Sequence, residues 1–154
     1  LLSLPTLTLA QTRFTDVTKA AGIDHRFLVY EGMFGGGACA FDFDRDGFDD
    51  LYVTGGMHDD ALYRNNHDGT FANVFGKSGL SVTRRYVTQG VAAADVNRDG
   101  YVDLFVTTIT TRGKKLPVPR APNLLFLNQG NGTFRDATRE FGLDGFSSFS
   151  TGAS

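Results

Sequence analysis

Several residue types are scarce in this chain of 154 residues, and each shortage excludes a class of protein. The single cysteine, Cys39, rules out a disulfide within the chain, and its apolar neighbours indicate a buried, unreactive thiol. No stretch approaches the ~20 consecutive apolar residues of a membrane-spanning helix. The net charge of -2 comes without a clustered basic face, which argues against nucleic-acid binding.

Glutamate is also scarce, with 2 residues against 15 aspartates. Glutamate favours helices whereas aspartate favours turns and metal-binding loops, so the imbalance argues against a helical protein. The 19 glycines indicate frequent turns, and the 14 phenylalanines and 5 tyrosines supply an ordered core. Together these counts predict an all-β protein.

The first residues of the chain are rich in leucine. Residues 1–10 end in Thr8-Leu9-Ala10, a small-x-small pattern, and indicate the remnant of a signal peptide. This predicts an exported protein, either secreted to the extracellular space or periplasmic. An ordinary buried strand or a frayed terminus is the alternative interpretation.

Two parts of the sequence recur. Segment 37–54 aligns with segment 90–107 at a constant offset of 53 residues, and segment 62–71 aligns with segment 125–134 at an offset of 63. An inserted basic loop at 111–122, which holds three of the four prolines, explains the larger second offset. Phe14 begins a third copy of the outer part, so the repeat period is about 60 residues.

Each unit contains four short runs typical of strands, at roughly 89–94, 103–109, 123–128 and 133–137 in the second unit. Four antiparallel strands per unit are typical of a propeller blade, and a propeller ring needs about four to eight blades. We therefore predict an incomplete fragment of a larger β-propeller. Its predicted divisions are the signal-peptide remnant at 1–10, an outer strand of a preceding or closing blade at 11–30, a first blade at 31–80, a second blade at 81–145 with the inserted loop, and the start of a truncated third blade at 146–154.

Each unit also carries an acidic loop. Oxygen-bearing side chains occupy positions 1, 3, 5 and 9 of the loop, a glycine occupies position 6, and position 7 offers a backbone carbonyl. A hard divalent cation takes six to eight oxygens, and alternate side chains of a tightly turned loop converge on one point. We therefore predict two Ca2+ sites. Their predicted ligands are Asp42, Asp44, Asp46, Phe48 and Asp50 in the first loop, and Asp95, Asn97, Asp99, Tyr101 and Asp103 in the second.

Magnesium, zinc and a metal-free turn fit the acidic loops less well than calcium. Magnesium demands near-octahedral geometry and keeps its waters, zinc lacks its usual Cys and His ligands here, and an Asp-rich solvated turn would not need to recur in register. A helix-loop-helix calcium site needs a Glu at position 12, where this chain has Val53 and Val106 in strand-like runs. The same residues argue against dockerin-like modules, and thrombospondin-type calcium repeats are more closely spaced and rich in cysteine.

The remaining polar residues do not indicate a catalytic site. His25, His58 and His67 share no ligand spacing, and we predict that each is a surface or turn residue. We interpret His58-Asp59-Asp60 as a solvated loop, and Asn131-Gly132-Thr133, which fits a glycosylation sequon, as a hairpin turn of the repeat. We predict no catalytic residues in these two blades.

The run that starts each acidic loop, the loop itself and the hairpin at 62–71 resemble FG-GAP/VCBS repeats of integrin-alpha-like propellers. Within that group, segments 14–18 and 20–23 are similar to the opening of the ASPIC/UnbV, or cartilage acidic protein, type. The resemblance implies a propeller of about seven blades. The sequence departs from the family pattern at Asn97, a neutral ligand, and at 72–75.

The sequence thus predicts an exported, calcium-stabilised propeller fragment that acts as a binding or adhesion scaffold. A protein or a glycan of unknown identity would bind on a propeller face. The alternative is the propeller or accessory domain of a secreted carbohydrate-active enzyme, such as a polysaccharide lyase, or of a lectin. Because stacked repeats need about three neighbours to bury a continuous core, we expect the fragment to be marginally stable alone or to self-associate.

Overall fold

A computed structural model describes residues 13–29, 35–113 and 121–146 of the chain. The predicted signal-peptide remnant at 1–10 lies outside the described residues. So do most of the inserted loop and all but the first residue of the predicted third blade.

The described residues form two four-stranded antiparallel sheets, each with its strands in chain order. This arrangement confirms the all-β fold and the four-stranded blades. The first sheet contains β1 (Ala38–Phe41), β2 (Asp50–Val53), β3 (Ala61–Asn65) and β4 (Phe71–Asn73), and the second contains β5 (Tyr86–Ala94), β6 (Asp103–Thr111), β7 (Leu124–Asn128) and β8 (Phe134–Asp136). In the described part of the chain, two short 3-10 helices at Phe75–Lys77 and Leu80–Arg85 lie between the sheets along the sequence, and a third at Leu143–Gly145 follows β8. None of the helices in the described part of the chain has the length and apolar character needed to span a membrane.

The hydrophobic core lies between the two sheets. Its centre is an aromatic trio of Phe41, Phe43 and Phe134, whose ring centroids are 6.1 to 6.5 Å apart. Phe41 ends β1, Phe43 belongs to the following loop, and Phe134 begins β8 of the other blade. Full burial of a large apolar side chain contributes about 1.5–3 kcal/mol, so these rings attach the first acidic loop firmly to the second blade.

The first hairpin of the second blade is longer than predicted. Strand β5 begins at Tyr86 rather than 89, and β6 continues to Thr111 rather than 109. The pairing register shifts between Tyr86 and Thr88 and again before Val91, so the hairpin contains irregular pairs that a simple alternation pattern does not predict. The β-branched threonines near the end of β6 favour the extra strand length.

A buried carboxylate joins the two blades at the other end of the sheets. Asp60 is 2 % exposed and accepts hydrogen bonds from the Tyr52 hydroxyl at 2.6 Å, the Gly55 N–H at 2.7 Å and the Thr88 hydroxyl at 2.5 Å. The interpretation of His58-Asp59-Asp60 as a solvated loop was therefore wrong for Asp60. Three donors compensate its desolvation, which is the condition for burying a carboxylate.

The segment at 13–29 covers the first blade. The Phe71 N–H donates to the Ala21 carbonyl at 2.8 Å, and Leu28 forms an isolated parallel bridge with Gly56. The same bond recurs in the second blade, where the Phe134 N–H donates to the Ser78 carbonyl at 2.7 Å. The described part of this segment contains no strand, and the outer strand at 11–30 stays a prediction.

Cys39 lies in β1, paired with Tyr52 across the sheet. The side chain is half-buried, and burial raises the pKa of its thiol to about 11. A thiol with this pKa is protonated at neutral pH and is a poor nucleophile. Cys39 is therefore unreactive, as predicted, although it is not fully buried.

Candidate metal centre

The two acidic loops follow the same backbone path. The first loop (residues 42–50) connects β1 to β2, and the second loop (residues 95–103) connects β5 to β6. Position 4 has a φ of 61° at Arg45 and 62° at Arg98, and position 6 has a φ of 88° at both Gly47 and Gly100. A φ of 88° lies in a region that glycine enters at little cost, so glycine at position 6 permits the sharp turn.

Side chains at positions 1 and 5 hold the turn of the first loop. Asp42 accepts hydrogen bonds from the Asp46 N–H at 3.1 Å and the Gly47 N–H at 2.9 Å. Asp46 in turn accepts from the Phe48 N–H at 3.0 Å. The corresponding bonds recur in the second loop, from the Asp99 and Gly100 N–H groups to Asp95 and from the Tyr101 N–H to Asp99. These hydrogen bonds to the carboxylates therefore hold the loop in its turn without a cation.

The aspartate at position 9 is the first residue of the strand that follows each loop, and its carboxylate accepts hydrogen bonds from the loop and from the neighbouring hairpin. Asp50 is fully buried and accepts from the Phe43 N–H at 3.1 Å and the Asn65 N–H at 2.8 Å. Asp103, 1 % exposed, accepts from the Val96 N–H at 3.0 Å and the Asn128 N–H at 2.8 Å. Each of these carboxylates therefore connects the loop to the hairpin at the end of the blade.

Three carboxylates of the first loop converge. One oxygen each of Asp42, Asp44 and Asp50 lies within 4.8 Å of the others. Asp44 contributes a further signal, because its Oδ1 atom is buried and has no hydrogen-bond partner. A buried unsatisfied acceptor costs about 1–3 kcal/mol, and more when charged, unless something compensates it. A cation at this point would compensate it.

The electrostatics of the cluster affect Asp50 most. Burial, together with the nearby charges of Asp44 and Asp46, raises the pKa of Asp50 to about 6 despite the two backbone hydrogen bonds that lower it. The carboxylate is therefore held in its charged form at neutral pH against its surroundings. A bound cation would relieve this repulsion.

Two basic residues that the sequence pattern does not assign to the site contact the first loop from the hairpin at 62–71. The Arg64 Nε donates to Asp44 Oδ2 at 2.8 Å, and the His67 Nε2 lies 2.6 Å from Asp46 Oδ2. The ring of Phe48 stacks on His67 with centroids 4.0 Å apart. His67 is a surface residue, as predicted, but it also positions Asp46. No repeat signal could have found these contacts, because the equivalent positions in the second unit are Leu127 and Gly130.

The second loop is more open. Its Asn97 donates from Nδ2 to Asp99 Oδ2 at 2.8 Å, and its side chains are mostly exposed. Within the described residues, Asp95, Asp99 and Asp103 do not converge as closely as the acids of the first loop. The structure therefore brings together the predicted ligands of the first loop at Asp42, Asp44 and Asp50. The ligand roles of the remaining side chains, and of the Phe48 and Tyr101 carbonyls, stay predictions.

Comparison with known families adds one finding. A search of curated proteins gave no match. A family match, by contrast, begins at the first residue of the first loop, includes the whole second loop and ends within β6. The match is to the general repeat and does not separate out the ASPIC/UnbV type. Residues 42–106, which contain both acidic loops, match the FG-GAP-like repeat, the family that the sequence resembles.

Proposed function

We propose that this chain is a calcium-binding β-propeller module in which two Ca2+ ions stabilise the first hairpin of each blade. The observation that carries the proposal is the convergence of Asp42, Asp44 and Asp50 around the buried, unpartnered Oδ1 of Asp44. The matched repeat family supports it, because FG-GAP repeats often bind Ca2+.

The residues present fit calcium better than other metals. All side-chain donors of the first loop are carboxylate oxygens, and calcium takes oxygen ligands in a flexible geometry. Within the described part of the chain, no Cys or His belongs to the converging group, so the thiolate and imidazole ligands that zinc prefers are missing there. The second loop would hold its ion through Asp95, Asn97, Asp99 and Asp103.

The role of the ions in this proposal is structural. A bound Ca2+ supplies two positive charges to a site where pairs of like charges repel by about 1–4 kcal/mol at close range. The carboxylates at positions 1 and 9 already bond to loop and hairpin backbone, so neutralising them fixes the loop to the blade. The Phe43 side chain then remains buried in the core between the blades.

We further propose that the module is exported and acts as a binding or adhesion scaffold. FG-GAP repeats are typically extracellular, and calcium is abundant outside cells, where weak sites are filled. A protein or glycan partner would contact loops on a propeller face. The likeness of segments 14–18 and 20–23 to the ASPIC/UnbV type belongs to this proposal as well.

Isothermal titration calorimetry tests the proposal. We expect two Ca2+ per chain, with one ion lost in Asp42→Ala and the other in Asp95→Ala, because each aspartate at position 1 anchors its own loop. Asp49→Ala is the matched control, since Asp49 lies in the first loop, is exposed and is not a predicted ligand. A chain that takes up no calcium, or keeps both ions in the double variant, would contradict the proposal.

The affinity of the first loop should depend on pH. Only the ionised carboxylate binds calcium, and the pKa of Asp50 is about 6, so the affinity should fall about tenfold from pH 7 to pH 5.

Because this pKa exceeds the ~3.9 of an unfolded Asp, the metal-free protein loses stability as the pH rises from about 4 to 6, and calcium opposes that loss. Titration of the Asp95→Ala variant isolates the first loop, and an affinity that is constant between pH 7 and 5 would refute this expectation.

A further inference from the structure

Asn128, at the end of β7, contacts both acidic loops. Its side chain is 2 % exposed, and its Nδ2 donates to the Phe43 carbonyl at 2.8 Å and to the Val102 carbonyl at 3.2 Å. Its backbone N–H donates to Asp103 Oδ1 at 2.8 Å. Phe43 belongs to the first loop, and Val102 and Asp103 belong to the second. One buried residue therefore holds the backbone of one loop and a carboxylate of the other.

A second contact joins the loops directly. The guanidinium carbon of Arg45, between two predicted ligands of the first loop, lies 5.1 Å from the ring centroid of Tyr101 at position 7 of the second. The backbone of Gly130 packs against the ring of Tyr101, where a Cβ on Gly130 would lie 2.6 Å from a ring carbon. Glycine at 130 thus leaves room for the Tyr101 ring in the position where it contacts the Arg45 guanidinium.

We propose that Asn128 couples the two loops, so that filling one with calcium raises the affinity of the other. This inference rests on the proposed calcium function. An ion that orders the first loop also fixes Phe43, whose N–H bonds to Asp50 and whose carbonyl accepts from Asn128. A fixed Asn128 then holds Asp103 ready for the second ion. By linkage, the second ion raises the affinity of the first loop by the same factor.

The first blade contains a natural control. Asn65 occupies the position of Asn128 in the repeat, and its N–H donates to Asp50 Oδ1 at 2.8 Å and its Nδ2 to the Asp49 carbonyl at 3.0 Å. Both acceptors belong to its own loop. Among the described residues, Asn65 donates to no other acidic loop. Replacing it with leucine removes the side-chain bond to Asp49 and keeps the backbone N–H bond to Asp50, without touching a connection between loops.

Coupling can be measured by calorimetry on the whole chain. The wild type gives the overall constant for binding two ions, and Asp42→Asn and Asp95→Asn each give the constant of the remaining site. The overall constant divided by the product of these two constants is the coupling factor. We expect at least about 5 in the wild type, since couplings between sites commonly span about 5–150-fold. The same three measurements are then made with Asn128→Leu and with Asn65→Leu.

The coupling factor should fall below 2 with Asn128→Leu and stay at the wild-type value with Asn65→Leu. A factor of one in the wild type, with calcium bound by both single-site variants, would overturn the coupling and leave the proposed function intact. Absence of calcium binding in all chains would overturn the proposed function itself. A factor unchanged by Asn128→Leu, or lost equally with Asn65→Leu, would also overturn the role of Asn128.

If Asn128→Leu does not fold, Arg45→Gln replaces it. Arg45 is exposed, so its loss should not unfold the chain. This change removes the contact with Tyr101, and we expect it to reduce the coupling factor at least twofold. An unchanged factor would overturn the coupling through these contacts.

Discussion

Saturating calcium should stabilise the folded chain by about 5 kcal/mol, because two sites at 100 times their dissociation constants contribute about 2.7 kcal/mol each. A gain of that size raises the melting temperature of a domain of this length by roughly 10–20 °C. It is also comparable with the whole stability of many domains, about 5–15 kcal/mol. Scanning calorimetry with and without calcium measures the effect.

We attribute this expected gain to repulsion between neighbouring carboxylates in the metal-free folded state, which a bound cation would relieve. In the first loop, oxygens of Asp42, Asp44 and Asp50 lie within 4.8 Å of one another, and Asp44 Oδ1 is buried without a partner. Without a cation, the folded chain retains this cost, whereas the unfolded chain separates the charges. We therefore expect a calcium ion to bind the folded state in strong preference to the unfolded state.

Two controls make the calcium result specific. The Asp42→Ala plus Asp95→Ala variant should gain less than about 1 kcal/mol from calcium, since neither loop then holds its ion at full affinity. Magnesium at the same concentration should give a smaller rise than calcium, because it retains its waters. A melting temperature that saturating calcium leaves unchanged would contradict the prediction, as would an equal rise in the double variant.

The blades could be predicted because the repeat constrains each level of structure. The constant offset between segments 37–54 and 90–107 gives two loops of one register, and the backbone N–H bonds to the aspartates at positions 1, 5 and 9 recur in both. The glycine at position 6 and the aspartates around it are local signals, since each loop closes over nine residues. Local signals of this kind determine a hairpin without knowledge of the rest of the fold.

Contacts between blades could not be predicted in the same way. Phe43 and Val96 hold the same place in the two loops, yet Phe43 is 2 % exposed and Val96 is 46 % exposed. The difference arises because the second blade covers the first loop, whereas no described residues cover Val96 in the same way. The bond from Asn128 to Phe43 likewise joins residues 85 positions apart. A repeat pattern describes each blade but not how the blades dock.

One sequence signal does indicate hairpin residues that contact the loops. Asn65 and Asn128 recur at the same position of the two hairpins, next to the leucine-rich and aromatic strand residues that align between the units. An asparagine kept in both copies at the end of a strand indicates hydrogen bonds to loop backbone. Arg64 and His67 carry no such signal, because their equivalents are not basic.

The second large effect concerns Gly79, where the chain passes from the first blade to the second. We expect Gly79→Ala to destabilise the chain by about 1.5–3.5 kcal/mol, from two sources. The φ of 83° costs a residue with a Cβ about 1–2 kcal/mol. In addition, a Cβ at 79 would lie 2.2 Å from the Phe134 carbonyl oxygen, so the backbone must move. That movement weakens the bond from the Phe134 N–H to the Ser78 carbonyl, worth about 0.5–1.5 kcal/mol.

Two glycines at equivalent places in the repeat separate these sources. Gly142 has a φ of 72°, and no atom in the described part of the chain lies within 4 Å of its Cβ position, so Gly142→Ala should cost only the backbone term of about 1–2 kcal/mol. Gly22 has a φ of 75° and a Cβ position 3.0 Å from the Phe71 carbonyl oxygen, and Gly22→Ala should fall between the other two. Urea unfolding in saturating calcium measures all three. Equal losses at 79 and 142 would mean that the connector does not approach β8 closely, and the docking of the second blade would then have to be revised.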